Sequence, residues 1–192
     1  MRRRLMVFPV AAAVIAILTG YKLMRTDLPA NYEGSVSGSV ALPAPRFELL
    51  DDKKPSELVR IESHLGRERL LVLFYDGDAG ACNSSMLLQL RERFHELHRA
   101  GFVVFAVSST IPQENRKAIE QCGTFPFPLL SDPDFSAHRA WGRIDGSGKP
   151  IPGLFLVDRA GRVAATPAGV PRPEWTGDLD PDTALKNVLH AN

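Results

Sequence analysis

The sequence is poor in cysteine: its 192 residues contain only Cys82 and Cys122. Two thiols are too few for a disulfide-stapled mini-protein, or for a zinc or iron–sulfur site built from four cysteines. The apolar share of 44% and the charged share of 23% are typical of a globular protein that buries a core. Because single domains usually have about 100–200 residues, we expect one domain with extensions.

A large excess of either charge is also missing, since the formal net charge is +1. Five of the 23 basic residues lie within residues 1–25, which contain no acidic residue. The rest of the chain therefore carries 18 basic and 22 acidic residues, a net charge of −4. A mildly acidic body lacks the basic surface of a nucleic-acid-binding protein, so we expect no nucleic-acid partner.

A long apolar run, residues 5–21, follows three arginines at the amino terminus. Its 17 residues are at the short limit for a membrane-spanning helix. The charged flanks, and the poor match of residues 18–20 to a signal-peptidase site, favour an uncleaved signal anchor over residues 1–25. A cleaved secretory signal is the alternative. We predict membrane association through residues 5–21, with the domain facing the periplasm or the extracellular side.

The segment after the apolar run, residues 26–42, is rich in glycine, serine, proline and alanine. This composition is typical of a flexible linker. The folded domain is predicted over residues 43–192. An exported domain lies in an oxidising compartment, where a pair of cysteines can form a disulfide.

Short apolar runs alternate with amphipathic segments in this domain. Residues 70–75 and 102–107 are typical of buried strands, and residues 84–100 between them have helical periodicity. A strand, a helix and a strand in this order predict a parallel βαβ unit. The pattern then predicts a helix from Pro112 to Gly123, an edge strand over 127–130, a helix over 134–141, a hairpin of 154–157 with 162–166, and a helix over 181–190. The order predicts an α/β sandwich with an antiparallel hairpin beside a parallel core.

Cys82 is the leading candidate for a nucleophile. It follows the loop 76–81, between the end of a buried strand and the first turn of a predicted helix. Unpaired amide groups and the helix dipole favour a thiolate at such a position. Folds of the α/β class also place ligands and nucleophiles at these strand ends. The alternative is that Cys82 is a small buried apolar residue, as free cysteines often are.

Four segments of the domain carry further motifs, and their order and spacing are consistent with one another. Residues 71–78 lead to Cys82, and residues 100–108, 125–134 and 154–163 follow it. Together they resemble the peroxiredoxins, the alkyl hydroperoxide reductase/thiol-specific antioxidant family. The resemblance covers about residues 43–190 and implies a thioredoxin-like three-layer sandwich, whose mixed sheet includes a C-terminal hairpin.

The resemblance also implies an activity. It predicts an oxidoreductase, a thiol-dependent peroxidase in which Cys82 is the peroxidatic cysteine and reduces hydrogen peroxide or alkyl hydroperoxides. A thioredoxin-like protein or a small thiol is the expected reductant, and a homodimer is a candidate assembly.

Three positions depart from the family pattern around the expected peroxide pocket. Ala79 stands where the family has threonine or serine, and Tyr75, or Asp76 if the loop is one residue shorter, stands where it has proline. Pro152 stands where the active-site arginine is expected. A proline there resembles thioredoxins, in which a cis-proline faces the active cysteine, so the bond before Pro152 is a candidate cis bond. The sequence thus leaves electrostatic stabilisation of the attacked peroxide in question.

Cys122 has two interpretations. One branch of the family has a resolving cysteine in a comparable helix, so the resemblance implies that Cys122 is a candidate resolving cysteine that forms a disulfide with Cys82. The alternative, which the sequence alone favours, is that Cys122 only fills the apolar face of its helix beside Ile119.

Two other functions remain open. Cys82 begins a Cys-x-x-Ser sequence, residues 82–85, so a thiol–disulfide oxidoreductase that forms mixed disulfides with exported proteins is one alternative. A catalytically degenerate redoxin that acts as a binding module is the other. We predict no cofactor and no metal site, because His95 and His98 are typical of an exposed helix face and residues 146–150 fit a turn better than a phosphate loop.

Overall fold

The computed structural model describes residues 40–190. The predicted signal anchor, residues 1–25, and all but the last three residues of the predicted linker lie outside the described residues. No helix within residues 40–190 is long and apolar enough to cross a membrane.

Eight strands form one sheet in this part of the chain. They are β1 (Val40–Pro43), β2 (Glu48–Asp51), β3 (Lys54–Arg60), β4 (Arg69–Tyr75), β5 (Phe102–Ser108), β6 (Leu129–Ser131), β7 (Gly153–Val157) and β8 (Arg162–Ala165). Their spatial order is β1–β8–β7–β4–β5–β6–β2–β3. Strands β4, β5 and β6 are parallel, and the other neighbours pair antiparallel. The predicted mixed sheet with a C-terminal hairpin is confirmed.

Five α-helices accompany the sheet within the same residues. They are α1 (Ser85–Glu92), α2 (Phe94–Arg99), α3 (Pro112–Cys122), α4 (Ser136–Ala140) and α5 (Pro181–His190). Helix α3 begins with a proline, whose missing N–H costs nothing in a first turn. Gly123 ends it with a φ of 87°, a conformation that favours glycine. The sequence therefore predicted the bounds of α3 correctly.

Alternating side chains of β4 enter two apolar cores, one on each face of the sheet. Leu71, Leu73 and Tyr75 contribute to the core that includes residues of α1, α2 and α5. Leu70, Val72 and Phe74 contribute to the other core, beside α4 and Trp141. A strand buried on both faces explains why its sequence is continuously apolar. The sheet between two apolar cores confirms the predicted three-layer sandwich.

The prediction of one continuous helix over residues 84–100 is wrong, because the structure has two helices there. Arg93 breaks the helix with φ and ψ of −92° and 9°. Its guanidinium lies 2.8 Å from the carboxylate of Glu96 and 3.0 Å from that of Asp182 in α5. The break also packs Phe94 against Phe127, with ring centroids 6.0 Å apart. Ion pairs and aromatic packing thus accompany the break between α1 and α2.

The prediction of an edge strand over 127–130 is also wrong. Strand β6 lies between β5 and β2, with Leu50 paired to Ser131. Pro128 precedes the strand, and its carbonyl accepts a hydrogen bond from the Ala106 amide at 3.3 Å. The missing proline N–H is therefore no obstacle to an inner position. The domain also begins earlier than residue 43, because β1 pairs with β8 from Val40 onward.

Candidate active site

Cys82 lies in a short 3₁₀ helix, Ala81–Asn83, between the carboxyl end of β4 and α1. The predicted place of Cys82, between the end of a buried strand and the first turn of a helix, is confirmed, since α1 begins at Ser85. Ser84 is the N-cap, and its hydroxyl accepts a hydrogen bond from the Leu87 amide at 3.3 Å. Cys82 is half-buried and lies two residues before this N-cap.

The loop before Cys82 is held by its own polar groups. The Asp76 carboxylate accepts hydrogen bonds from the amides of Asp78 and Ala79 at 2.9 and 3.4 Å. The Asn83 side-chain amide donates to the Ala79 carbonyl at 2.7 Å. Gly80 has a φ of 79°, which a residue with a side chain rarely adopts. These contacts fix the path of the chain into Cys82.

A close approach also fixes the loop on the neighbouring strand. A Cβ atom added at Gly77 would overlap Cγ2 of Thr110, just after β5. The glycine therefore allows the loop after β4 to pack directly on the segment after β5.

A disulfide joins Cys82 to Cys122, with the two Cα atoms 5.5 Å apart. This separation lies within the usual range of ~4.4–6.8 Å for disulfides. Cys122 is the last residue of α3 and is half-buried. Cys122 and Ile119 do pack against the apolar core, but the interpretation of Cys122 as only a filler of the helix face is wrong. The disulfide thus joins the end of α3 to the segment just before α1, although the two cysteines are 40 residues apart in the sequence.

The two sulfurs sit in opposite helix environments. Cys82 precedes the start of α1, where the helix dipole favours negative charge. Cys122 lies at the carboxyl end of α3, where the dipole disfavours negative charge.

The two predicted pocket residues lie on different segments of the chain. Ala79 is exposed on the same loop as Cys82. Pro152 is half-buried directly before β7, whose Gly153 pairs with Phe74 near the carboxyl end of β4. The peptide bonds of the described residues are all trans, so the predicted cis bond before Pro152 is wrong.

Arg143 is a neighbour of Pro152 that the sequence did not indicate. Its buried guanidinium donates to the Pro152 carbonyl at 3.1 Å, and its Nε donates to the Gly142 carbonyl at 2.9 Å. Burial lowers the pKa of Arg143. A Cβ at Gly153 would lie only 2.9 Å from the Arg143 side chain, so the glycine makes room for it. No local motif marks Arg143, because the intervening turn has to fold before the contact forms.

A buried hydrogen-bond network lies at the carboxyl ends of the parallel strands, with Asn115 of α3 at its centre. Its side-chain amide donates to the Asp52 carboxylate and to the Ser108 hydroxyl, both at 2.6 Å. Its side-chain oxygen accepts from the Tyr75 hydroxyl at 2.9 Å and from the Thr110 hydroxyl at 3.0 Å. The network therefore fastens the first half of α3 to β4 and β5.

Asp52 is the charged member of the network and has no exposed surface. Its carboxylate also accepts a hydrogen bond from the Ser131 hydroxyl at 2.8 Å. Burial raises the pKa of Asp52 to about 6, although the hydrogen bonds from Ser131 and Asn115 act in the opposite direction. Burial likewise raises the pKa of Tyr75. Polar residues at the ends of three strands were the signal that could have revealed this network.

An apolar cavity of 230 Å³ lies elsewhere, at the amino end of β5. Its lining includes Phe94, Phe102 and Phe127. Since Cys82 follows the carboxyl end of β4, this cavity does not coincide with the predicted substrate pocket.

Known proteins are similar to this chain in sequence and in fold. It is 30% identical over 127 residues to peroxiredoxin Bcp of Escherichia coli K12, a match that covers 62% of this chain and 79% of that protein. It is 24% identical over 115 residues to the putative peroxiredoxin ycf42 of Trieres chinensis, covering 57% of this chain and 56% of that protein. The chain thus matches little more than half the length of the second relative.

Solved structures give the same fold. Peroxidoxin BcpB of Mycobacterium tuberculosis superimposes with a TM-score of 0.62 at 20% identity, covering 80% of this chain and 98% of that one. The bacterioferritin comigratory protein of Xanthomonas campestris, described for its alkyl peroxide reduction activity, gives 0.56 at 24% identity, covering 75% and 86%. The AhpC/TSA family model matches residues 40–166. The chain therefore belongs to the AhpC/TSA family, the peroxiredoxins of the thioredoxin-like fold.

Proposed function

We propose that this protein is a two-cysteine thiol peroxidase that reduces hydroperoxides at Cys82. The observation that carries the proposal is the disulfide between Cys82, at the family's peroxidatic position, and Cys122 at the end of α3. Family membership supports thiol peroxidase chemistry in general. The alkyl peroxide reduction of the Xanthomonas campestris protein supports alkyl hydroperoxides, beside hydrogen peroxide, as the substrate class.

The proposed cycle has three steps. The Cys82 thiolate attacks one peroxide oxygen, the O–O bond breaks, and Cys82 becomes a sulfenic acid while an alcohol or water leaves. The Cys122 thiol then attacks the sulfenic sulfur, and the disulfide forms with release of water. Two thiols of an external reductant, a thioredoxin-like protein or a small thiol, restore both cysteines and are themselves oxidised to a disulfide. The disulfide between Cys82 and Cys122 supports the second step of the proposed cycle.

The proposed peroxide pocket includes Ala79 and Pro152, with Cys82 as the attacking residue. Neither side chain carries a hydrogen-bond donor. We therefore expect a slower reaction with peroxide than in relatives that have both a hydroxyl and a guanidinium at these positions.

Replacement of each cysteine by serine tests the proposal. Cys82→Ser should abolish thiol-dependent consumption of hydrogen peroxide and of an alkyl hydroperoxide. Cys122→Ser should still react once with peroxide and should accumulate a sulfenic acid that dimedone labels. Equal turnover of the wild type and Cys82→Ser would refute the proposal. If Cys122→Ser instead accumulates mixed disulfides with other proteins and ignores peroxide, the protein is the thiol–disulfide oxidoreductase predicted as an alternative.

We also propose that residues 5–21 tether the domain to a membrane and that the domain faces the periplasm or the extracellular side. The oxidising environment there suits a protein with a cysteine pair. Protease digestion of intact spheroplasts tests this, because only an exported domain is degraded. The proposed homodimer is tested by light scattering of the purified domain.

A further inference from the structure

Arg91 of α1 connects the helix that follows Cys82 to the residue Cys122. Its guanidinium donates a hydrogen bond to the main-chain carbonyl of Cys122 at 2.7 Å. The same guanidinium lies over the ring of Phe125, 5.0 Å from the ring centroid. Arg91 is half-buried, so solvent screens these contacts less than on an open surface.

The contact gives the carboxyl end of α3 a hydrogen-bond donor and a positive charge. Carbonyl groups in the last turn of a helix have no partner within the helix, and a cation there interacts favourably with the dipole. The last turn of α3 contains no basic residue of its own. Arg91 therefore provides, from another helix, both the hydrogen-bond donor and the positive charge.

The contact and the disulfide hold the same two segments together, so each favours the other. The contact joins a side chain to a main-chain carbonyl, and reduction of the two cysteines leaves both groups chemically unchanged. In the reduced protein it favours the arrangement in which the end of α3 lies beside the start of α1 while the sulfurs are separate. Holding two reacting groups together raises their effective concentration and speeds the reaction between them.

We propose that Arg91 is a positioning residue that holds Cys122 beside Cys82 and thereby speeds the closing of the disulfide. The inference deepens the proposed function and rests on it for the reaction concerned. In that reaction the Cys122 thiol attacks the Cys82 sulfenic acid, a sulfur–sulfur bond forms, and the hydroxyl group leaves as water with the thiol proton. In this role Arg91 acts through the main chain of Cys122.

Three variants test the inference. Arg91→Met keeps an unbranched side chain but removes the hydrogen bond and the charge, and Arg91→Lys restores the charge and one donor group. Arg99→Met is the matched control, because Arg99 also donates to a main-chain carbonyl, that of His95 in its own helix. Far-UV circular dichroism of each variant checks that it is folded.

The first measurement uses no peroxide. The equilibrium constant for forming the Cys82–Cys122 disulfide with glutathione reports how well the two thiols are held together. Arg91→Met should lower this constant at least fivefold, Arg91→Lys should lie between it and the wild type, and Arg99→Met should match the wild type. An unchanged constant in Arg91→Met, or an equal loss in Arg99→Met, would overturn the inference.

The second measurement follows the reaction with hydrogen peroxide by rapid quenching and mass spectrometry. In Arg91→Met, loss of the Cys82 thiol should proceed at the wild-type rate, while disulfide formation should be at least fivefold slower and sulfinic acid should accumulate. Equal slowing of both steps would indicate general damage and contradict a positioning role. If wild-type Cys82 does not react with peroxide, the proposed function fails, and the glutathione equilibrium still decides whether Arg91 positions Cys122.

Discussion

At the scale of single residues, the loop before Cys82 depends on the absence of a side chain at Gly77. A methyl group there would overlap Cγ2 of Thr110, and its Cβ would also lie 3.1 Å from the Thr110 amide nitrogen. The loop and the segment after β5 would then have to separate. Because Cys82 follows this loop directly, the separation would also displace the sulfur.

Gly77→Ala should therefore lower the free energy of unfolding by about 1–3 kcal/mol, the usual cost of overpacking. Urea unfolding of the oxidised protein measures the loss. Adding Thr110→Ser removes the overlapping methyl group and should recover part of the loss, since the amide contact remains. Gly146→Ala is the control, because a Cβ at Gly146 meets no atom within 4 Å. A double variant as unstable as Gly77→Ala would contradict this explanation.

At the scale of elements, α3 carries Cys122 and is fastened at both ends. Asn115 in its first half connects to the ends of β4 and β5, and Arg91 and the disulfide hold its last turn. The segments that surround α3 therefore decide where the second sulfur lies.

Asn115→Ala should destabilise the domain by at least about 2 kcal/mol, because Asp52 and the Tyr75 and Ser108 hydroxyls each lose a buried partner. The loss should appear in urea unfolding of the oxidised protein. Gln113→Ala, at an exposed position of the same helix, should change the free energy of unfolding by less than about 0.5 kcal/mol. Equal effects of the two substitutions would show that the network contributes nothing to stability.

The elements that could be predicted are those whose signals are local. Continuous apolar runs indicated β4 and β5, and Pro112 and Gly123 marked the ends of α3. Strands β1 to β3 were missed because they are short or carry mostly exposed side chains, without a continuous apolar run. The error about β6 has another cause: Pro128 suggested a sheet edge, but it lies before the strand.

The candidate site could be predicted only in part, for the same reason. Cys82 was recognisable because a strand, a loop and a helix start are consecutive in the sequence. Its partner Cys122 is forty residues away, and no spacing rule fixes the distance between their Cα atoms. Asp52 and Arg143 were missed because their contacts exist only after distant segments have folded.

At the scale of the whole molecule, stability should depend on pH through the buried carboxyl group of Asp52. Its pKa is raised from 3.8 to about 6 in the folded protein, so the folded state binds this proton more tightly than the unfolded state does. The stabilisation from the protonated group is therefore complete below pH 3.8 and is lost as the pH rises through about 6. The contribution of Asp182 to the pH dependence has the opposite sign. Hydrogen bonding and ion pairing with Lys186 and Arg93 lower the pKa of Asp182, so its stabilisation is lost as the pH falls.

The free energy of unfolding of the wild type, minus that of Asp52→Asn, should fall as the pH rises from 4 to 7. A pKa raised from 3.8 to about 6 makes this difference fall by about 2 kcal/mol between pH 4 and pH 7. Taking the difference cancels the other carboxyl groups, whose titration is common to both proteins. The corresponding difference for Asp182→Asn should change little from pH 4 to 7 and should fall as the pH drops below 3.8. Urea unfolding at several pH values, with the disulfide kept intact, gives both differences as a function of pH. A difference for Asp52→Asn that does not change with pH would show that the buried carboxyl group has the same pKa in the folded and unfolded states.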